Sequence, residues 1–240
     1  MPFARLQYFS QALQKQTAVT LILPDAVLDA PYFPWLLLHG LSDDETVWAR
    51  RTSLERYVEG LPVVVAMPDG GRGFYLDAAE GFSYYTALSE ELPVMLQKYL
   101  PLREEWAVGG LSMGGYGAVR FALGRPDRFR SAHSHSGALG FGHFPGFRDQ
   151  AEFLRILGEP AVGGPNDLFS LAETVSSPPA LRIDCGVDDF LIDSNRAFTA
   201  HLREIGYEHE YEEFPGEHNW AYWDEHVQEQ LAFHRKNLGF

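Results

Sequence analysis

The stretch Trp106-Ala-Val-Gly-Gly-Leu-Ser112-Met-Gly-Gly-Tyr-Gly-Ala-Val119 decides how the rest of the chain is read. An apolar run ends in Gly110-Leu-Ser112-Met-Gly114, a G-x-S-x-G pattern, and a helix-compatible segment from Tyr116 to Leu123 follows at once. A strand, a sharp turn with serine at its tip and then a helix is the context that gives this pattern meaning. A serine at a strained turn needs nearly side-chain-free neighbours. Gly110 and Gly114 supply the room, and Gly115 and Gly117 let the helix lie close to the strand. The helix N-terminus behind the serine offers unpaired N–H groups and partial positive charge to an oxyanion. Ser112 is therefore the candidate nucleophile.

Outward from this turn the chain alternates short apolar runs with helix-compatible segments. Phe3 to Phe9 and Gln16 to Leu23 read as two strands, the second stopped by Pro24, an antiparallel start to a sheet. Trp35-Leu-Leu-Leu-His-Gly40 and Leu61 to Pro68 are continuously apolar, as expected of strands buried on both faces. Between them, Ser42 or Asp43 is placed to cap a helix reaching about Tyr57. A helix from about Tyr84 to Tyr99 leads into the Trp106 strand, and Phe129 to Ser136 is the next strand.

Ala138 to Ser177 is the least regular region. It contains one helix around Gln150 to Leu157, and at about 40 residues it is longer than an ordinary connection, so it reads as a cap or pocket-wall insertion. Leu181 to Gly186 is a strand, Ser194 to Ile205 a helix, Tyr207 to Phe214 an edge strand and Trp220 to Asn237 a closing helix. The alternation predicts one α/β domain over 1–240, with a mostly parallel sheet and helices on both faces. In such sheets ligands bind beyond the carboxyl ends of the strands.

A serine hydroxyl needs a base, and the base an orienting acid, in the chain order Ser, acid, His. Gly186-Val-Asp-Asp189 follows the next-to-last predicted strand and Gly216-Glu-His218 the last. Of nine histidines, His218 is the one in this position. His133 and His135 lie in or beside a strand and read as structural, and His39 as scaffolding for a loop. His143, in the insertion, is an outsider for the same role. Asp188 and Asp189 both compete for the acid, and the G-x-x-D spacing favours Asp189. The oxyanion donors expected are the backbone N–H of Met113, directly after the nucleophile, and that of Leu41, after the His39-Gly40 strand. Aromatic residues near strand ends, Trp48, Phe74, Tyr75, Phe141, Phe190 and Trp220, are candidate pocket walls, with Trp48, Tyr75 and Trp220 placed first.

Composition closes off other classes. With 19 basic against 33 acidic residues the formal charge is −14, which argues against nucleic acid or an anionic membrane as partner. Asp69-Gly-Gly-Arg-Gly-Phe-Tyr75 lacks G-x-G-x-x-G and a P-loop lysine, so a bound nucleotide is not expected. The histidines show no H-E-x-x-H spacing, and no metal or other cofactor is expected. Cys185, the single cysteine, sits in an apolar run and reads as a buried small hydrophobe. No run approaches the ~18 apolar residues of a membrane span, and no charged region leads into an apolar one at the N-terminus, so a cytoplasmic protein is the expectation.

These pieces together resemble the esterase D family of α/β-hydrolases, close to bacterial tributyrin-type carboxylesterases. The matching segments are His39-Gly-Leu41 with Trp48, Met67-Pro-Asp-Gly-Gly-Arg-Gly-Phe-Tyr75, Gly110-Leu-Ser-Met-Gly-Gly-Tyr-Gly117, Cys185-Gly-Val-Asp-Asp-Phe-Leu191 with Asn195, and Gly216-Glu-His-Asn-Trp220 with Trp223. The resemblance implies an eight-stranded sheet, a Ser112–Asp189–His218 triad, oxyanion amides at Leu41 and Met113, small-molecule ester substrates and, as in relatives, homo-oligomers. The family also holds S-formylglutathione hydrolases and feruloyl and acetyl-sugar esterases. The oxyanion loop, Leu41-Ser-Asp-Asp-Glu45, lacks the cysteine of the formylglutathione enzymes, and position 116 is tyrosine where they carry histidine. A short-chain ester is thereby the leading substrate, with feruloyl or acetyl-sugar esters and thioesters as alternatives and a silent binding protein as a remote one.

Overall fold

The computed structural model describes residues 1–26, 28–144, 150–158 and 160–240. Its centre is an eight-stranded sheet in the order β1-β2-β4-β3-β5-β6-β7-β8. The strands are β1 (Phe3–Ser10), β2 (Lys15–Ile22), β3 (Phe33–Leu38), β4 (Val63–Pro68), β5 (Trp106–Leu111), β6 (Phe129–His135), β7 (Ala180–Gly186) and β8 (Glu210–Phe214). β1 and β2 pair antiparallel, as do β2 and β4, and every pairing from β4 through β8 is parallel. The order 4-3-5 reverses direction around β3, so the ends of β3 and β5 open a crevice. The serine turn lies there.

Alternation along the central strands splits the core into two layers. Leu36 and Leu38 join one cluster with Val108, Tyr116, Val119 and Phe198, while Trp35 and Leu37 join the other with Trp48, Val65, Tyr222 and Val227. The first layer lies under α4 (Met113–Gly124) and α7 (Ile192–Glu204). The second lies under α1 (Val47–Arg51), α2 (Leu54–Tyr57) and the long α8 (Trp220–Leu238). Each fully buried aliphatic side chain contributes about 1.5–3 kcal/mol of transfer free energy, which is why the continuously apolar runs become interior strands.

Three expectations, two helices and a strand, shift for local reasons. The helix expected from residue 42 or 43 to Tyr57 starts at Val47 and breaks after Arg51. The Ser53 amide donates to Asp224 Oδ1 in α8 at 2.7 Å instead of continuing the helix, and Thr52 Oγ1 bonds back to the Trp48 carbonyl at 2.6 Å. The helix ending at Tyr99 contains a π-helical stretch, Thr86–Glu91, before α3 (Leu92–Tyr99). Pro93 has no N–H to give to the preceding turn, and the wider π register fits that gap. The last strand starts at Glu210, because Tyr207 is tied by its amide to the Leu202 carbonyl and by its hydroxyl to that of Pro179.

Within 138–177, residues 145–149 and 159 lie outside the described residues, and with them part of the expected insertion. The described remainder holds α5 (Ala151–Leu157) and a helix the sequence reading missed, α6 (Leu168–Thr174), capped by Asp167 through Phe169 N. Arg72 pairs with Glu152, Ala79 N donates to Ile156 O, and Tyr116 Oη donates to Asn166 O at 2.6 Å. The segment therefore braces the loop after β4 and the outer side of α4.

Candidate active site

Ser112 sits between β5 and α4 with φ 54° and ψ −115°, a left-side conformation that L residues avoid. Such strain costs of order 1–3 kcal/mol and persists only where surroundings over-determine it. Here they do. The Ser112 amide donates to the His135 carbonyl at 2.9 Å, and its own carbonyl accepts from Tyr116 N and Ala138 N, each at 3.1 Å. The turn is sterically closed as well: a Cβ on Gly114 would lie 2.4 Å from Leu38 O and 2.6 Å from His39 O. α4 thus approaches the end of β3 to within backbone contact.

This turn presents Ser112 Oγ to His218 Nε2 at 3.0 Å. His218 Nδ1 in turn lies 2.8 Å from Asp189 Oδ2 and 3.0 Å from Oδ1. Asp189 is buried and accepts the Leu191 amide at 2.8 Å through Oδ1, whereas Asp188 is exposed. Of the two acids, Asp189 is the one that faces His218. The imidazole is packed by the Trp223 ring, edge-on at 4.9 Å, and by Phe190 at 4.5 Å.

The loop after β3 is fixed from below. His39 Nδ1–H donates to the Gly40 carbonyl at 2.7 Å, and its Nε2 accepts the Gly70 amide at 2.9 Å. Burial lowers its pKa, so the neutral tautomer this pairing requires is also the favoured one. Tyr75 Oη donates to the His39 carbonyl at 2.9 Å. The Leu41 and Met113 amides have no hydrogen-bond partner among the described residues, and both flank the serine, as oxyanion donors should.

A cavity of about 430 Å³ lies over these groups, lined on its apolar sides by Phe74, Ala138, Leu191, Trp220 and Trp223. Three pocket expectations are corrected. Trp48 is buried and spends its indole N–H on the Leu38 carbonyl at 3.0 Å, and Tyr75 is buried with its hydroxyl on His39; neither lines the cavity. Phe141 likewise stacks behind Phe74 at 3.9 Å. Trp220 lines the cavity as expected, and Phe190 stands at its rim, 73% exposed. Trp223 was missed as a wall, although its i+3 spacing from Trp220 puts both on one helix face.

One grouping among the described residues has metal-ligand chemistry: His133, His135 and Asp184, all buried below the site. One ring nitrogen of each histidine is spent on the carboxylate, while His133 Nδ1 and His135 Nε2 are buried with no hydrogen-bond partner among the described residues. His133 Nε2 and His135 Nδ1 each bond Asp184, which also accepts Tyr222 Oη at 2.8 Å. This network ties β6, β7 and α8 together, the structural part expected for both histidines. Cys185 is buried beside it, and burial pushes its thiol pKa up, in keeping with an inert side chain.

A family model described as "Putative esterase" matches residues 10–156. The chain belongs to this esterase family. An acetyl esterase of Caldicellulosiruptor saccharolyticus is 28% identical over 254 residues, covering 95% of this chain and 96% of that protein. Two Staphylococcus aureus structures are each 30% identical with a TM-score of 0.87, over 96% of this chain and 97% of theirs. They are FphF, a fluorophosphonate-binding serine hydrolase, and the S-formylglutathione hydrolase FrmB. The esterase has the α/β-hydrolase fold of these neighbours and is a serine hydrolase. No helix among the described residues is long and apolar enough to cross a membrane.

Proposed function

We propose that this esterase hydrolyses short-chain acyl esters through an acyl-serine intermediate on Ser112. The observation that carries the reading is the continuous Ser112–His218–Asp189 hydrogen-bond chain at a strained turn that opens into a small cavity. Ser112 Oγ attacks the ester carbonyl carbon while His218 Nε2 takes its proton. Asp189 holds the imidazole and stabilises the imidazolium. The carbonyl oxygen, now an oxyanion, accepts the N–H groups of Leu41 and Met113. The carbon–oxygen bond to the alcohol then breaks and His218 returns the proton to it. Water repeats the sequence on the acyl-serine and releases the acid.

A cavity of about 430 Å³ with aromatic walls suits an acyl group of a few carbons together with a modest alcohol. The test is a p-nitrophenyl ester series from acetate to decanoate, with Ser112→Ala as control. Turnover peaking between acetate and butyrate and vanishing in the variant is expected. A peak at decanoate, or equal turnover by the variant, would overturn the reading. Likeness to FrmB supports a second reading, thioester hydrolysis, which the matching thioacetate separates in the same assay.

A further inference from the structure

Among the described residues the cavity over Ser112 is lined by one carboxylate that the triad does not use. Asp43 lines the cavity together with Gly40, Leu41 and Ser42, and is its only acidic lining residue among the described residues. Its Oδ2 lies 3.3 Å from where a Cβ on Gly40 would be, and that same point is 3.7 Å from Ser112 Cβ, so the carboxylate stands next to the nucleophile. It is half-buried and interacts with the Gly40 backbone amide, but no lysine or arginine pairs with it among the described residues. The cation in this loop, Arg50, is committed elsewhere, to Thr46 Oγ1 at 2.8 Å and to Asp44 at 3.6 Å. His39, which faces Asp43 from below, is held neutral by burial. Desolvation raises the Asp43 pKa by more than His39, the Gly40 amide and Arg50 lower it, so the charge is only partly compensated.

A partly desolvated charge without an ion-pair partner inside a substrate cavity discriminates between ligands by sign, because Coulomb energies over a few ångström are several times larger there than in bulk water. The remaining walls among the described residues are apolar or neutral. We propose that Asp43 is a specificity-determining residue for the ester reaction: it disfavours esters carrying a negative charge and favours those that bring a positive charge against the oxyanion loop. This rests on the proposed esterase reading and extends it to the substrate class. Under it, esters of anionic alcohols or thiols, and half-esters of dicarboxylic acids, are poor substrates relative to neutral ones of equal size.

The experiment compares wild type with Asp43→Asn, which keeps an acceptor for the Gly40 amide and loses only the charge. Leaving-arm probes are phenyl acetate, 3-acetoxybenzoate and 3-acetoxy-N,N,N-trimethylanilinium. Acyl-arm probes are p-nitrophenyl pentanoate and p-nitrophenyl hemisuccinate. All are run at pH 8, with the variant's folding checked by its melting temperature. The variant-to-wild-type ratio of kcat/KM cancels each probe's intrinsic reactivity. On the arm that faces Asp43, that ratio is expected to be about tenfold higher for the anionic probe than for the neutral one. If that arm is the leaving arm, the ratio for the cationic probe is expected to be correspondingly lower. Ratios that are equal across charges on both arms would overturn the proposal while leaving the esterase reading intact. Absence of Ser112-dependent hydrolysis of the neutral probes would instead remove the esterase reading and this proposal with it.

Discussion

Asp189 holds His218 Nδ1 at 2.8 Å from inside the fold, while its neighbour Asp188 stands in solvent. Consecutive residues on one loop alternate in direction, so one of two adjacent acids can face the imidazole and the other cannot. Asp189→Asn is expected to lower kcat by about 10³–10⁴ with little change in melting temperature, since Asn still accepts the Leu191 amide. Asp188→Asn should stay within about twofold of wild type, as an exposed charge away from the reacting atoms does. Steady-state kinetics on p-nitrophenyl acetate decides; comparable losses in both variants would contradict the assignment.

Gly114→Ala reverses an ordinary rule. Alanine normally stabilises a helix over glycine by about 0.5–1 kcal/mol. At this position the new methyl would meet the Leu38 and His39 carbonyl oxygens at 2.4 and 2.6 Å. Backbone cannot swing aside as a side chain can, so the cost is expected to exceed about 3 kcal/mol and the oxyanion loop to be displaced. The variant should melt far lower, or fail to accumulate, and any folded fraction should lack turnover. A melting temperature and activity equal to wild type would refute the close approach of α4 to β3.

Acid should destabilise this protein earlier than its carboxylates alone would require. Burial lowers the pKa of His133 to about 3 from 6.5, and burial also lowers those of His39 and His234. Each is neutral in the fold, while in the unfolded chain it takes up a proton below about pH 6.5. The native state therefore binds fewer protons, and stability, full above that pH, declines as pH falls toward the native value. Asp184 acts in the same direction at lower pH. Burial favours its protonated form, but His135 and the hydrogen bonds from His133 and His135 outweigh this and hold it well below the usual carboxylate range, so its contribution is lost only below about pH 4. The unfolding free energy from urea titrations should be level from pH 8 to 7 and fall from 6.5 to 4.5, by up to about 1.4 kcal/mol per pH unit for each such histidine, with the midpoint falling in step. His234→Gln should flatten the slope by one histidine's share. A midpoint unchanged at pH 5 would contradict this.

The fold was legible because its central strands are continuous apolar runs ending in loops, and no helix of similar length competes for Trp35–Leu38 or Val63–Pro68. The meeting of Ser112 and His218 was legible because chain order and strand ends restrict where they can lie. The pocket walls were not. Residue type alone does not tell whether an aromatic faces substrate, or whether its polar atom meets a backbone carbonyl, as Trp48 does at Leu38 and Tyr75 at His39. Trp223 was the reverse case, a helical residue whose ring covers the His218 imidazole. The break after Arg51 was invisible for a similar reason, since its cause, Asp224, lies 171 residues from the Ser53 amide it accepts.

The most direct test of the central claim is covalent. Incubation with diisopropyl fluorophosphate, followed by intact-mass measurement and peptide mapping, should add one phosphoryl group to the native protein, on the peptide holding Ser112, with parallel loss of ester hydrolysis. Ser112→Ala and urea-unfolded wild type should remain unlabelled, because only the folded serine has His218 to take its proton. Full hydrolytic activity in a protein left unmodified at Ser112, or labelled on a different residue, would contradict the account.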